Sequence, residues 1–130
     1  MKFTIDRHER YVVLKPHEKV LDGNAAPQVK SEFVRINTDG QRNIVLDLSE
    51  VEEADTAGLR SALMAHRMCK ALGGIFILAH ANENITQLIE IGQLDGVLVC
   101  VPTIQEAEDI IFMEELEKEF RGSSASEEEE

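Results

Sequence analysis

The stretch "NIVLDLSEVEEADTAGLR", residues 43–60, decides how this chain reads. Ile44, Val45, Leu46 and Leu48 stand close together, as in a β-strand covered on both faces. An acidic run follows, with Glu50, Glu52 and Glu53, and then Asp55-Thr56-Ala57-Gly58. Behind it an apolar helix pattern runs from about Thr56 to Leu72 and stops at Gly73-Gly74. The Thr56 hydroxyl is therefore expected at an exposed strand-to-helix turn. Asp55 stands where a helix cap belongs, and Gly58 would let the helix start pass close to the sheet. A hydroxyl in that place has three possible roles: nucleophile, second cap or attachment point.

Working outward, "KFTID" and "YVVLK" are β-type runs separated by the polar "RHER", the pattern of a hairpin. "LDGNAAP" carries turn chemistry and a helix start, with Asn24 as the expected cap and Pro27 in the first turn. Ala25, Val29, Phe33 and Ile36 then recur at helical spacing until "NTDGQ". Beyond Gly74, "IFILA" reads as a buried strand. A helix capped by Asn82 or Asn84 follows, with Ile85, Leu88 and Ile89 on one face, and then the strand run "VLVCV". Thr103 and Glu106 form a capping box for a last helix ending near Phe120. The order β-β-α-β-α-β-α-β-α implies one α/β domain over residues 1–120, with about four helices on a mixed, largely parallel sheet. "RGSSASEEEE", residues 121–130, is expected to be a disordered acidic tail.

Twenty-five acids against thirteen lysines and arginines leave a formal net charge of −12. No basic cluster is available to displace counterions from nucleic acid, and an anionic membrane would repel the chain. The acidity suits solubility and a basic protein partner. No segment approaches a membrane span, and the N-terminus has no apolar signal region, so the cytosol is the expected address. Cys69 and Cys100 lack metal-ligand spacing and are expected to be reduced packing residues. Neither a metal nor a cofactor is expected.

A hydroxyl nucleophile needs a base, and the strand–nucleophile–helix order is similar to the GxSxG elbow. Only one glycine of that pattern is present, since Ala54 and Gly58 flank Thr56 at two residues. No histidine among His8, His17, His66 and His80 has a partner legible in the sequence. Attachment of phosphate is better founded. A phosphothreonine adds about −1.5 to −2 charges at a helix end that tolerates anions, on a rim that is already negative. Such a group would change the fold little and the docking of a partner greatly.

"VLDLSEVEEADTAGLRSALMAHRMCKALGG" resembles the central segment of the STAS domain, the fold of bacterial anti-sigma factor antagonists. "VLDGNAAP" resembles that family's Leu-Asp element before its first helix, and "LIEIGQLDGVL" its third helix and following strand. The resemblance places the phospho-acceptor on Thr56, after Asp55, with Ala57 where the family often has a second hydroxyl. It implies a non-catalytic regulator that binds an anti-sigma factor serine/threonine kinase. Phosphorylation by that kinase ends docking, and a phosphatase restores it. The implied docking surface comprises Asp22, Asp55, Thr56, Ala57, Gly58 and Leu59. Two alternatives stay open: a STAS scaffold or transporter accessory subunit that never sees phosphate, and a small α/β enzyme using Thr56 and a histidine.

The helix after Thr56 shows two apolar stripes. One is Leu59, Ala62, Leu63, His66 and Cys69; the other is Met64, Met68, Ala71 and Leu72. A surface helix needs one, so Met64 and Met68 are candidates for the docking face, unless the helix is buried on two sides. In "EAEDIIFMEELEKEF" the acids read as a solvated face, with Ile111, Phe112, Leu116 and Phe120 as a candidate self-association or partner surface.

Overall fold

The computed structural model describes residues 1–129, with side chains from Met1 to Arg121. Strands β1 (Phe3–Arg7) and β2 (Val12–Pro16) form the expected antiparallel hairpin. The other long strands are β4 (Ile44–Asp47), β6 (Phe76–Ala79) and β7 (Val99–Val101), which join β2 in parallel. The five-stranded order is β1-β2-β4-β6-β7. Two further strands, β3 (Val20–Leu21) and β5 (Glu53–Ala54), pair in parallel as a separate two-stranded sheet that the sequence reading did not foresee.

The helices are α1 (Ala26–Thr38), α2 (Thr56–Ala71), α3 (Glu83–Ile91) and α4 (Ile104–Glu129). The backbone of α4 runs on past the expected helix end near Phe120 and over most of the stretch 121–130 expected to be a disordered tail, whose side chains, Arg121 apart, lie outside those described. Strand alternation sorts the core into two layers. Val12, Leu14, Ile44, Leu46, Phe76 and Leu78 meet apolar residues of α1, α2 and α3 on one face. Tyr11, Val13, Val45 and Ile77 meet Ala107 and Ile111 of α4 on the other. Both faces of β4 are thus buried, which accounts for its unbroken apolar run.

Some local expectations hold and others are changed. Asn24 does not cap α1: Ala25 holds the cap position without a side-chain bond, and the Asp22 carboxylate instead fixes the turn before it, accepting from the amides of Asn24 at 3.0 Å and Ala25 at 3.1 Å. Asn82 caps α3, accepting from Ile85 N at 3.0 Å. Half of the Thr103–Glu106 box forms, as the Thr103 hydroxyl accepts from Glu106 N at 3.2 Å. The Glu106 carboxylate meets that hydroxyl rather than an amide. Cys69 is buried, and burial pushes its thiol up to about 11. Cys100 is exposed on the edge strand β7 and is not a packing residue.

At the end of the sheet where β4 begins, polar groups are tightly paired. Asn43 is buried; its amide nitrogen donates to Arg10 O and Glu115 Oε1, each at 2.8 Å, and its oxygen accepts from Ile75 N at 3.0 Å. Arg42 grips both oxygens of Glu115, at 3.2 and 2.6 Å. Hydrogen bonding to Arg42 holds the Glu115 carboxyl below the usual carboxylate range, against the opposing effect of burial. Gly74 runs so close to this corner that a Cβ there would lie 1.9 Å from Arg42 O. At neighbouring Gly73, φ is +78°, a left-handed conformation that ends α2 and favours glycine.

Candidate functional site

The opposite end of the sheet carries the turn from which the sequence reading began. After β4, Val51 is buried and the chain folds back onto β3. Glu52 N and Glu53 N both donate to Lys19 O, at 2.7 and 3.0 Å, and Asp55 N donates to Leu21 O at 3.1 Å. The turn is thus fixed by backbone bonds to β3, and its acidic side chains point outward. The Asn82 side chain adds a 2.8 Å bond to Glu52 O. Glu52, Glu53 and Asp55 are exposed, so three carboxylates surround the start of α2.

Asp55 caps α2 as expected, its backbone extended and its carboxylate accepting from Gly58 N at 3.1 Å. Thr56 is the first residue of α2 and is exposed. Gly58 is buried against β3: a Cβ on it would meet Leu21 O at 2.3 Å. Only a residue without a side chain allows α2 to begin there. One strand therefore holds both the Asp55 amide and the closest approach of α2, and Thr56 is carried between them.

The other candidate residues divide. Asp22 follows Leu21 just past the end of β3, but its carboxylate is occupied by the amides of Asn24 and Ala25 in the turn before α1. Ala57 and Leu59 are half-buried. Met64 and Met68 are half-buried too and pack against the core that α1 and α2 share, so they do not form an open docking stripe. The buried face of α2 is Gly58, Ser61, Ala62, Ala65 and Cys69. The hydroxyl of Ser61 satisfies itself within the helix, donating to Gly58 O at 2.6 Å. His66 is half-buried on α2; burial first, then Lys70 and Arg67, lowers its pKa. It stands two turns and more beyond Thr56 along the helix, too far to act as its base.

A cleft of about 750 Å³ opens beside β3, lined by Lys19, Val20, Asp22, Ser49, Glu50 and Glu52 among others. Thr56 does not line it. Within it His17 Nδ1 meets Glu50 Oε2 at 2.5 Å, and Lys15 approaches the same carboxylate at 3.5 Å. Glu50 is therefore paired, while its neighbours Glu52 and Glu53 face solvent without such partners. Val20, 40% exposed and opposite Glu53 on β3, is an apolar rim residue that sequence reasoning missed. Its only sequence signal is that it sits beside the Leu21-Asp22 element. Among the described residues no cluster of histidine, cysteine and carboxylate side chains could hold a metal ion. No helix among them is long and apolar enough to cross a membrane.

The STAS domain family model matches residues 2–107. A Thermotoga neapolitana protein named as a candidate anti-sigma factor antagonist is 30% identical over 99 residues, covering 76% of this chain and 88% of its own. The crystal structure of a candidate anti-sigma factor antagonist from Thermotoga maritima superposes with a TM-score of 0.78 at 27% identity, covering 84% of this chain and 93% of that one. The Bacillus cell fate determinant SpoIIAA in its phosphorylated form shares the fold, with a TM-score of 0.65 at 20% identity, covering 85% and 99%. With the sheet order, the Asp55-Thr56 turn and these likenesses in agreement, the chain belongs to the STAS domain family.

Proposed function

We propose that this protein acts as an anti-sigma factor antagonist, switched by phosphorylation of Thr56. Its unmodified form docks, through the start of α2 and the adjoining rim of β3 and β5, onto an anti-sigma factor that is itself a serine/threonine kinase. That kinase phosphorylates Thr56, docking is lost, and a phosphatase restores it. An ATP-using partner of this kind places the exchange in the cytoplasm. The observation that carries the reading is the exposure of Thr56 as the first residue of a helix whose cap and close packing are supplied by its neighbours Asp55 and Gly58.

The physics of the turn supports a binding switch rather than a conformational one. The first turn of α2 holds no acidic residue, so its dipole can accept an added anion without rearrangement. Seen from a partner, the same phosphate joins Glu52, Glu53 and Asp55 and must be desolvated beside them. Such a burden at an interface is worth on the order of several kcal/mol, enough to change affinity by orders of magnitude. The named relatives and the phosphorylated form of SpoIIAA support the same reading.

The test is incubation with the cognate kinase and ATP followed by mass spectrometry, with phosphate expected on Thr56. A Thr56→Glu protein is expected to stay folded and to lose anti-sigma binding in calorimetry. Unchanged affinity would favour a scaffold that never sees phosphate.

A further inference from the structure

Beyond Ile111, α4 changes character. Ile104, Ala107 and Ile111 face the sheet, yet the next positions on that side are Glu115, clamped by Arg42 and Asn43, and Lys118. The large apolar residues of this half face the other way. Phe112 is 44% exposed, Met113 59%, Leu116 55% and Phe120 74%. Ile111, grouped with them in the sequence reading, is fully buried instead. Phe112, Leu116 and Phe120 recur every four residues, so they form one ridge along the helix, of the kind that fits between the side chains of a second helix. The fold gains nothing from leaving them in water, and apolar surface gathered within a charged rim marks an interaction site.

The rim indicates what covers it. Asp109, Glu117 and Glu119 are exposed around the ridge. Arg121 is engaged by Glu117 at 3.3 Å, and Arg10 lies over the Phe112 ring at 5.9 Å. The whole chain carries −12, so two copies meeting here would bring acidic rims together. We propose that the Phe112–Leu116–Phe120 ridge docks one amphipathic helix of a partner protein, whose apolar stripe is flanked by lysine and arginine. Lys118 comes to within 3.4 Å of a Cβ placed on Gly73, just past the end of α2. Thr56 starts that helix, 16 residues or about 24 Å away along its axis. A partner on the ridge therefore leaves the Thr56 face free, and the two surfaces can be occupied together.

The probe is a fluorescein-labelled synthetic helix of about five turns, with leucine on one face and lysine on its flanks. In fluorescence anisotropy it should bind the full chain, whereas an analogue with glutamate flanks should not. The Leu116→Gln/Phe120→Gln double variant keeps the net charge and should bind at least about tenfold more weakly, with Phe112→Gln as a second, independent variant. Both replace exposed side chains, and thermal melts should match the parent. Equal binding by these variants would mean that the peptide senses only the overall negative charge, and would overturn the proposal. So would a dimer in sedimentation velocity that dissociates on the double substitution, since the ridge would then belong to a second copy.

Discussion

The two ends of the central sheet handle polar groups in opposite ways. Where β4 begins, Asn43, Arg42 and Glu115 tie β2, β6 and α4 together, and each polar atom involved has a partner. Where β4 ends, backbone bonds hold the β5 turn on β3 while Glu52, Glu53, Asp55 and Thr56 face solvent. The first end spends its side chains on cohesion. The second fixes its backbone, with Asp55 engaged as the cap of α2, so that the side chains of Glu52, Glu53 and Thr56 stay available. Substitutions at the two ends should therefore divide cleanly between those that unfold the protein and those that change what it binds.

The largest effect is expected at Asn43. Asn43→Ala leaves Ile75 N and Arg10 O without partners and removes a hydrogen bond from Glu115. Each such orphaned group costs about 1–3 kcal/mol, so a loss of about 3 kcal/mol and a fall in Tm of about 10 °C are expected in a thermal melt. A fall below about 3 °C would show that the corner is held by α4 packing rather than by this amide.

At the other end the most sensitive residue is the one whose backbone matters. Gly58→Ala puts a methyl 2.3 Å from Leu21 O, so β3 or α2 must shift. Overpacking costs up to about 3 kcal/mol, and the better helix propensity of alanine returns about 1, leaving a loss of about 2 kcal/mol in urea denaturation. A stabilised protein would mean that α2 slides freely on β3, and that the Thr56 turn is not rigidly placed.

Much of this contrast was legible in the sequence. The apolar run of β4, the Asp55 cap, Gly58 and the Gly73-Gly74 stop are local signals, each carried by residue types whose conformational demands are strong. The candidate site was legible because Thr56 lies among such signals. What escaped was non-local. Strands β3 and β5 have two residues each, too few for any period, and exist only because the chain returns to them. The sequence reading gave Asn43 no role, since nothing nearby in sequence announces Arg10, Ile75 or Glu115 as its partners. On α2 the stripe read from Leu59, Ala62, Leu63, His66 and Cys69 contained the buried Ala62 and Cys69, but close packing added the small residues Gly58, Ser61 and Ala65 to that face and left Leu59, Leu63 and His66 half-buried.

The smallest stability effect, and the sharpest use of the comparison, lies between adjacent residues. Asp55→Ala removes the carboxylate that accepts from Gly58 N, and should cost about 1 kcal/mol. Thr56→Val keeps the shape of an exposed side chain and removes only its hydroxyl, so urea denaturation should shift by less than about 0.5 kcal/mol. If the valine protein loses as much as the alanine one, the hydroxyl belongs to the cap, and the turn is built for helix initiation alone. If it loses nothing, the hydroxyl is left without a structural task on a backbone that two strands and a glycine contact hold still. A group in that position is free to be modified, because neither its chemistry nor its solvation is needed by the fold.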